Sequence, residues 1–176
     1  MSEVKGLGKI HVITGPGKGK TTAAFGSAIR AAGHGIRVGI VQFMKADGSG
    51  EVISARHLDN IEVVQFGTGN FIDFGHAREH DTAKAGEGLR QAEKFLTSGD
   101  YGLVILDEIS VAVDFGLLSA DEVLAVIRSR KSGVEVILTG RNVPKSFVSE
   151  ADYVSFIQSV KHPFDKGGEA RRGIEW

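Results

Sequence analysis

The feature that most restricts what this chain can become is the run Thr14-Gly15-Pro16-Gly17-Lys18-Gly19-Lys20-Thr21, set between an apolar stretch and a helix-forming one. It matches the phosphate-binding pattern G-x-x-x-x-G-K-[ST], except that Thr14 stands where the first glycine would. Glycines let the backbone curl until successive N–H groups point at one anion, and the helix that follows adds its positive end. Lys20 supplies a full charge, and Thr21 a hydroxyl of the kind that ligates magnesium beside bound phosphates. A glycine-rich turn with solvated lysines would also give such a string by chance. Chance does not require a strand before it and a helix after it, and both are expected here. Gly15, Pro16, Gly17, Lys18, Gly19, Lys20, Thr21 and Thr22 are therefore the candidate residues for ATP.

The rest of the chain repeats the same alternation of short apolar runs with longer amphipathic ones, as when parallel strands are joined by helices. Strands are expected at Ile10 to Thr14, Val38 to Phe43, Glu62 to Phe66, Leu103 to Leu106, Val134 to Leu138 and Tyr153 to Ile157. Their Val and Ile content suits strands covered on both faces. Helices are expected over Thr21 to Ala32, stopping before Gly33, over Glu79 to Thr97 with Ala85, Leu89, Ala92 and Leu96 at helical spacing, and over Ala120 to Ser129. The fold class is α/β: a P-loop NTPase (RecA-like) three-layer sandwich with a mostly parallel sheet of about six strands. At 176 residues a single domain spanning the whole chain is expected, large enough to hold a core without staples.

Charge and composition narrow the partners. A net charge of −1, from 21 basic and 22 acidic residues, gives no global field for nucleic acid or anionic lipid, so phosphate recognition has to be local. With no cysteine, disulfides, thiolate zinc sites and cysteine nucleophiles are excluded. No secretory signal pattern and no apolar run of membrane-spanning length is found, and a soluble, cytoplasmic protein with no membrane partner is expected.

A second cluster of chemistry lies at Leu103-Val104-Ile105-Leu106-Asp107-Glu108, an apolar strand ending in two acids where an open α/β sheet places its ligand crevice. Alone, acids at a strand end are often solvated turn residues; beside the first loop, one of them becomes the expected magnesium partner. Arg141 follows another strand and either reaches the same edge to pair with phosphate or is a surface arginine. The stretch Gly67 to Arg78 mixes glycines with Phe71, Ile72 and Phe74 and either walls an apolar ligand or packs on the domain's own core. His162 is given no role. The segment Lys161 to Trp176 is a candidate tail that orders over a site, and Trp176 is either a partner contact or a docked end.

Together these stretches resemble the P-loop type of ATP:corrinoid adenosyltransferase nearly end to end. The resemblance is carried by the loop through Thr22-Ala23-Ala24-Phe25-Gly26, by Val41-Gln42-Phe43, Val104-Ile105-Leu106-Asp107-Glu108-Ile109 and Leu138-Thr139-Gly140-Arg141, and by Lys161-His162-Pro163-Phe164-Asp165 with Arg172-Gly173-Ile174-Glu175. It implies attack of a reduced cobalt(I) corrinoid, cobalamin or cobinamide, on the ribose 5′ carbon of ATP, with triphosphate leaving. Lys20 would then be the catalytic cation, stabilising the departing charge with the loop N–H groups and magnesium. The metal ligands implied are Thr21 and Glu108, with Asp107 as a second or water-mediated partner. Phe71 and Phe74 are the residues implied to exclude the lower axial ligand of the corrinoid. A homodimer and a flavoprotein reductant are implied as well.

Two other readings use the same loop. One is an ATPase or small-molecule kinase that cleaves the terminal phosphate; the other is a binding module in which ATP orders the aromatic loop without catalysis. A RecA-like role on DNA ranks last, because it needs a basic groove that the charge balance does not supply.

Overall fold

The computed structural model describes residues 6–46, 48–67, 79–163 and 167–175. The apolar runs form strands and the amphipathic runs helices, in the order β1 (Ile10–Thr14), α1 (Lys20–Gly33), β2 (Val38–Phe43), α2 (Gly50–Ala55), β3 (Ile61–Phe66), α3 (Glu79–Ser98), β4 (Leu103–Asp107), α4 (Ile109–Asp114), α5 (Ala120–Arg128), β5 (Glu135–Thr139), α6 (Lys145–Glu150) and β6 (Tyr153–Phe156). The six strands make one sheet in the order β3-β2-β4-β5-β1-β6. Every pairing in it is parallel, which sharpens the expected mostly parallel sheet.

The strand period of two divides each apolar run between two cores. Val104 and Leu106 of β4, with Val41 and Phe43 of β2, pack under α3, α4, α5 and α6, while Leu103, Ile105, Val38 and Ile40 pack under α1 and α2. That is the three-layer sandwich. Close approach is secured where side chains are small: a Cβ on Gly39 would stand 2.6 Å from the Phe95 ring, so glycine lets α3 lie down on β2.

The sheet edges depart from the expectation of doubly covered strands. All residues of β6 are exposed, with Tyr153 at 54%, Val154 at 49% and Phe156 at 62%. Most of β3 is half-buried. Val- and Ile-rich composition marks strand conformation, but whether helices cover both faces is decided by position in the sheet order. The helices α2, α4 and α6, of 6 residues each, were not expected, since so short a run shows no resolvable period.

Candidate functional site

Parallel pairing brings the C-terminal ends of all the strands to one edge, and the functional side chains converge there. Thr14 ends β1 as an ordinary buried strand residue, its carbonyl accepting from Ile157 N at 2.8 Å. The position of the missing first glycine therefore asks for no positive φ. The turn begins one residue later, with Gly15 at φ 108° and a hypothetical Cβ 2.4 Å from the Ile157 carbonyl oxygen. Gly17 donates its N–H to the same oxygen at 2.8 Å, and its Cβ would meet the Gln158 carbonyl at 2.5 Å. The chain leaving β6 is thus the floor of the loop, and only glycine fits at both points. Gly19, at φ 115°, turns the chain into α1.

Lys20 is buried, and its ammonium donates to the carbonyls of Gly15 and Gly17 at 2.8 Å each. Burial lowers its pKa, with Arg141 and Lys45 acting in the same sense and Glu108 and Asp107 opposing. One helical residue on, Thr21 donates its hydroxyl to Asp107 Oδ1 at 2.9 Å. Asp107 is fully buried and also receives Thr139 Oγ1 at 2.7 Å, Gln42 Nε2 at 2.9 Å and Lys45 Nζ at 2.8 Å. Gln65 in turn donates to Gln42 Oε1 at 3.0 Å, which fixes the orientation of that amide. The ends of β2, β3, β4 and β5 and the first turn of α1 are in this way tied through one carboxylate, directly or through Gln42.

Glu108 is held differently. Its backbone adopts φ 61°, and its N–H donates to Thr139 Oγ1 at 2.9 Å. Burial first, then the adjacent Asp107 charge, raise its carboxyl pKa against the pull of Lys45, Lys20 and Arg141. Among the described residues the non-glycine positive-φ positions are Met44, Glu108 and Asn142, just beyond the ends of β2, β4 and β5. Such a backbone costs on the order of 1–3 kcal/mol and persists where the surroundings enforce it, which is common at functional sites.

These groups border a cavity of about 710 Å³, within the range of small-molecule sites. Gly17, Lys18, Gly19, Lys20, Thr21, Thr22, Glu108 and Arg141 form its polar end; Phe25, Ile29, Ala55 and Leu58 from α1, α2 and the turn after it form an apolar wall. The C-terminal segment closes one side with Gly173, Ile174 and Glu175. Glu175 binds Lys18 Nζ at 3.0 Å and is held in place by Arg171. The Arg171 side chain and backbone, with Lys18, bring its carboxyl pKa down to about 2. His162, given no role above, also borders the cavity.

The structure therefore brings Gly17 to Thr22, Glu108 and Arg141 to one cavity, with Gly15 beneath the loop and Pro16 exposed on its outer side. Asp107 lies behind Thr21, saturated with donors, rather than on the cavity wall. Phe71 and Phe74 lie outside the described residues, as does Trp176. Sequence reasoning missed Lys45 and Thr139 as site residues and gave Gln42 no role. A glutamine inside an otherwise apolar strand was the one available signal, since a buried amide needs a polar partner. No group of three or more His, Cys, Asp or Glu side chains placed for a metal occurs among the described residues. A magnesium ion does not need one, because it takes one or two protein oxygens and completes its shell with phosphates and water.

Comparison with known proteins agrees with this geometry. Residues 6–176 match the family model described as ATP:corrinoid adenosyltransferase BtuR/CobO/CobP. A corrinoid adenosyltransferase of Escherichia coli K12 is 39% identical over 169 residues, covering 96% of this chain and 86% of the relative. The Pseudomonas aeruginosa corrinoid adenosyltransferase is 38% identical, with coverage of 96% and 84%. Corrinoid adenosyltransferase CobA of Salmonella typhimurium is 38% identical, with coverage of 96% and 86%. A family match across nearly the whole chain, on a fold whose glycine-rich loop, Glu108 and Arg141 share one cavity, identifies the chain as a member of the ATP:corrinoid adenosyltransferase family.

Proposed function

We propose that this chain, as one domain over residues 1–176, transfers the 5′-deoxyadenosyl group of ATP to the cobalt(I) of a corrinoid, releasing triphosphate, in adenosylcobalamin synthesis or salvage. The observation that carries the reading is the family match over residues 6–176 lying on a cavity that joins a phosphate loop to an apolar wall. A kinase or hydrolase would put a hydroxyl acceptor or an activated water at the terminal phosphate. Here the space beyond the loop runs along Phe25, Ile29 and Leu58, surfaces suited to a flat, largely apolar reactant.

In this reading the loop N–H groups and Lys20 hold the triphosphate, and Arg141 adds a second cation. Lys20 must leave the Gly15 and Gly17 carbonyls to meet phosphate, which its four-carbon stem allows. Thr21 and Glu108 supply hard oxygen ligands for magnesium, with Asp107 orienting the Thr21 hydroxyl from behind. When bound, magnesium neutralises charge gathering on the leaving triphosphate. As the C5′–O bond breaks, its electron pair goes to the triphosphate oxygen while the cobalt(I) pair forms the new Co–C bond. Preset cations at that oxygen lower the barrier because they need no reorganisation.

Phe71 and Phe74 are assigned to the corrinoid by resemblance, and cobalamin or cobinamide is the acceptor. A flavoprotein reductant, a cytoplasmic location and a homodimer belong to the same reading; no helix of the described residues is long and apolar enough to cross a membrane. Phosphate product analysis separates the alternatives. With ATP and chemically reduced corrinoid, intact triphosphate in step with corrinoid consumed supports transfer, whereas ADP or orthophosphate supports the kinase or hydrolase.

A further inference from the structure

Asp107 is fully buried, and of the groups that donate to it, Thr21, Gln42, Thr139 and Lys45, only Lys45 carries charge. Lys20 directs its ammonium to the Gly15 and Gly17 carbonyls instead. The charge balance of a carboxylate at 0% exposure therefore falls to Lys45, whose Nζ lies 2.8 Å from Oδ2. The same ammonium donates to Thr21 Oγ1 at 3.0 Å. That oxygen is the one assigned to magnesium above.

A magnesium ion on Thr21 Oγ1, at about 2.1 Å, would lie within about 5 Å of an ammonium still in place. Two cations at such range beside a buried carboxylate repel strongly, since little water screens them. Glu51 offers Lys45 somewhere to go, with Oε1 at 3.9 Å from Nζ on the cavity side. We propose that Lys45 is a place-holding cation: it neutralises Asp107 and occupies Thr21 until a divalent ion takes over both tasks, and the two cations exclude one another. The inference rests on the reading that Thr21 and Glu108 hold the metal. It adds a residue that sets how readily metal enters.

The test measures Mn2+ binding to the nucleotide-free protein by electron paramagnetic resonance in the wild type, Lys45→Met and Lys45→Arg, with Thr21→Ala as reference. Removing the ammonium is expected to tighten Mn2+ binding about tenfold or more, as unscreened charge at this range implies, while Lys45→Arg stays near the wild type. In the wild type, the 15N signal of the Lys45 ammonium should shift when Mg2+ saturates the site. Thr21-dependent Mn2+ binding that Lys45→Met leaves unchanged or weakens would overturn the inference alone. Mn2+ binding indifferent to Thr21 would overturn it together with the metal assignment. If Lys45→Met does not fold, the wild-type signal decides, and one unmoved by saturating Mg2+ overturns the proposal.

Discussion

Glu108 is the residue at which structure and chemistry conflict most openly. It sits in a left-handed backbone, partly buried beside a second carboxylate, and burial raises its carboxyl pKa. The folded protein therefore holds that proton more tightly than the unfolded chain. The associated stability is complete below the unfolded carboxyl pKa and is lost as pH rises through the raised one. Replacing Glu108 with Gln should remove this loss, giving a gain on the order of 1 kcal/mol at neutral pH, as when a functional strain is relieved. Urea unfolding followed against pH would show the variant's slope flattened, while Mn2+ binding weakens. A variant less stable than the wild type at neutral pH, with its pH slope intact, would show that the carboxylate is not under strain. Asp107, more deeply buried, is matched by donors from Thr21, Gln42, Lys45 and Thr139. Two neighbouring acids of similar intrinsic acidity thus receive different tasks from their surroundings.

Among the elements, the loop between β1 and α1 depends on an edge strand of the sheet, β6. Gly15 and Gly17 rest on the carbonyls of Ile157 and Gln158, just past β6. Gly17→Ala should lose about 1–3 kcal/mol through overpacking and lose ATP affinity with it, since the loop must lift off its floor. Chemical denaturation and ATP titration would check both; wild-type values in each would show that the floor yields. A change far from this edge should leave ATP binding alone. Ser119 caps α5 in a reciprocal capping box with Glu122, so Ser119→Ala should cost about 1 kcal/mol without altering nucleotide affinity. The loop, its flanking strand and helix, and the acids after β4 were legible because their signals are local: a spacing, a period, a charge after an apolar run. The β6 floor was not, because an edge strand exposed on both faces has the same Val and aromatic content as a covered one. Lys45, Gln42 and Thr139 were not legible as partners of Asp107, since they meet it across separations of 62, 65 and 32 residues that only the sheet order fixes.

At the scale of the whole molecule, one parallel sheet places a glycine-rich loop, two acids and an arginine at one edge, and the helical layer of α1 and α2 supplies a wall. The C-terminal segment returns to that edge through Glu175 and Lys18, so both ends of the chain contribute to the same cavity. Such an arrangement hosts many reactions, and what separates them is which bond of ATP breaks. The most direct measurement is an anaerobic reaction of the protein with chemically reduced cob(I)alamin, magnesium and ATP, following the corrinoid spectrum and the phosphate products together. The account predicts light-sensitive adenosylcobalamin with one triphosphate released for each Co–C bond formed, and loss of both in Lys20→Ala. An unchanged corrinoid spectrum with ADP or orthophosphate accumulating would contradict it.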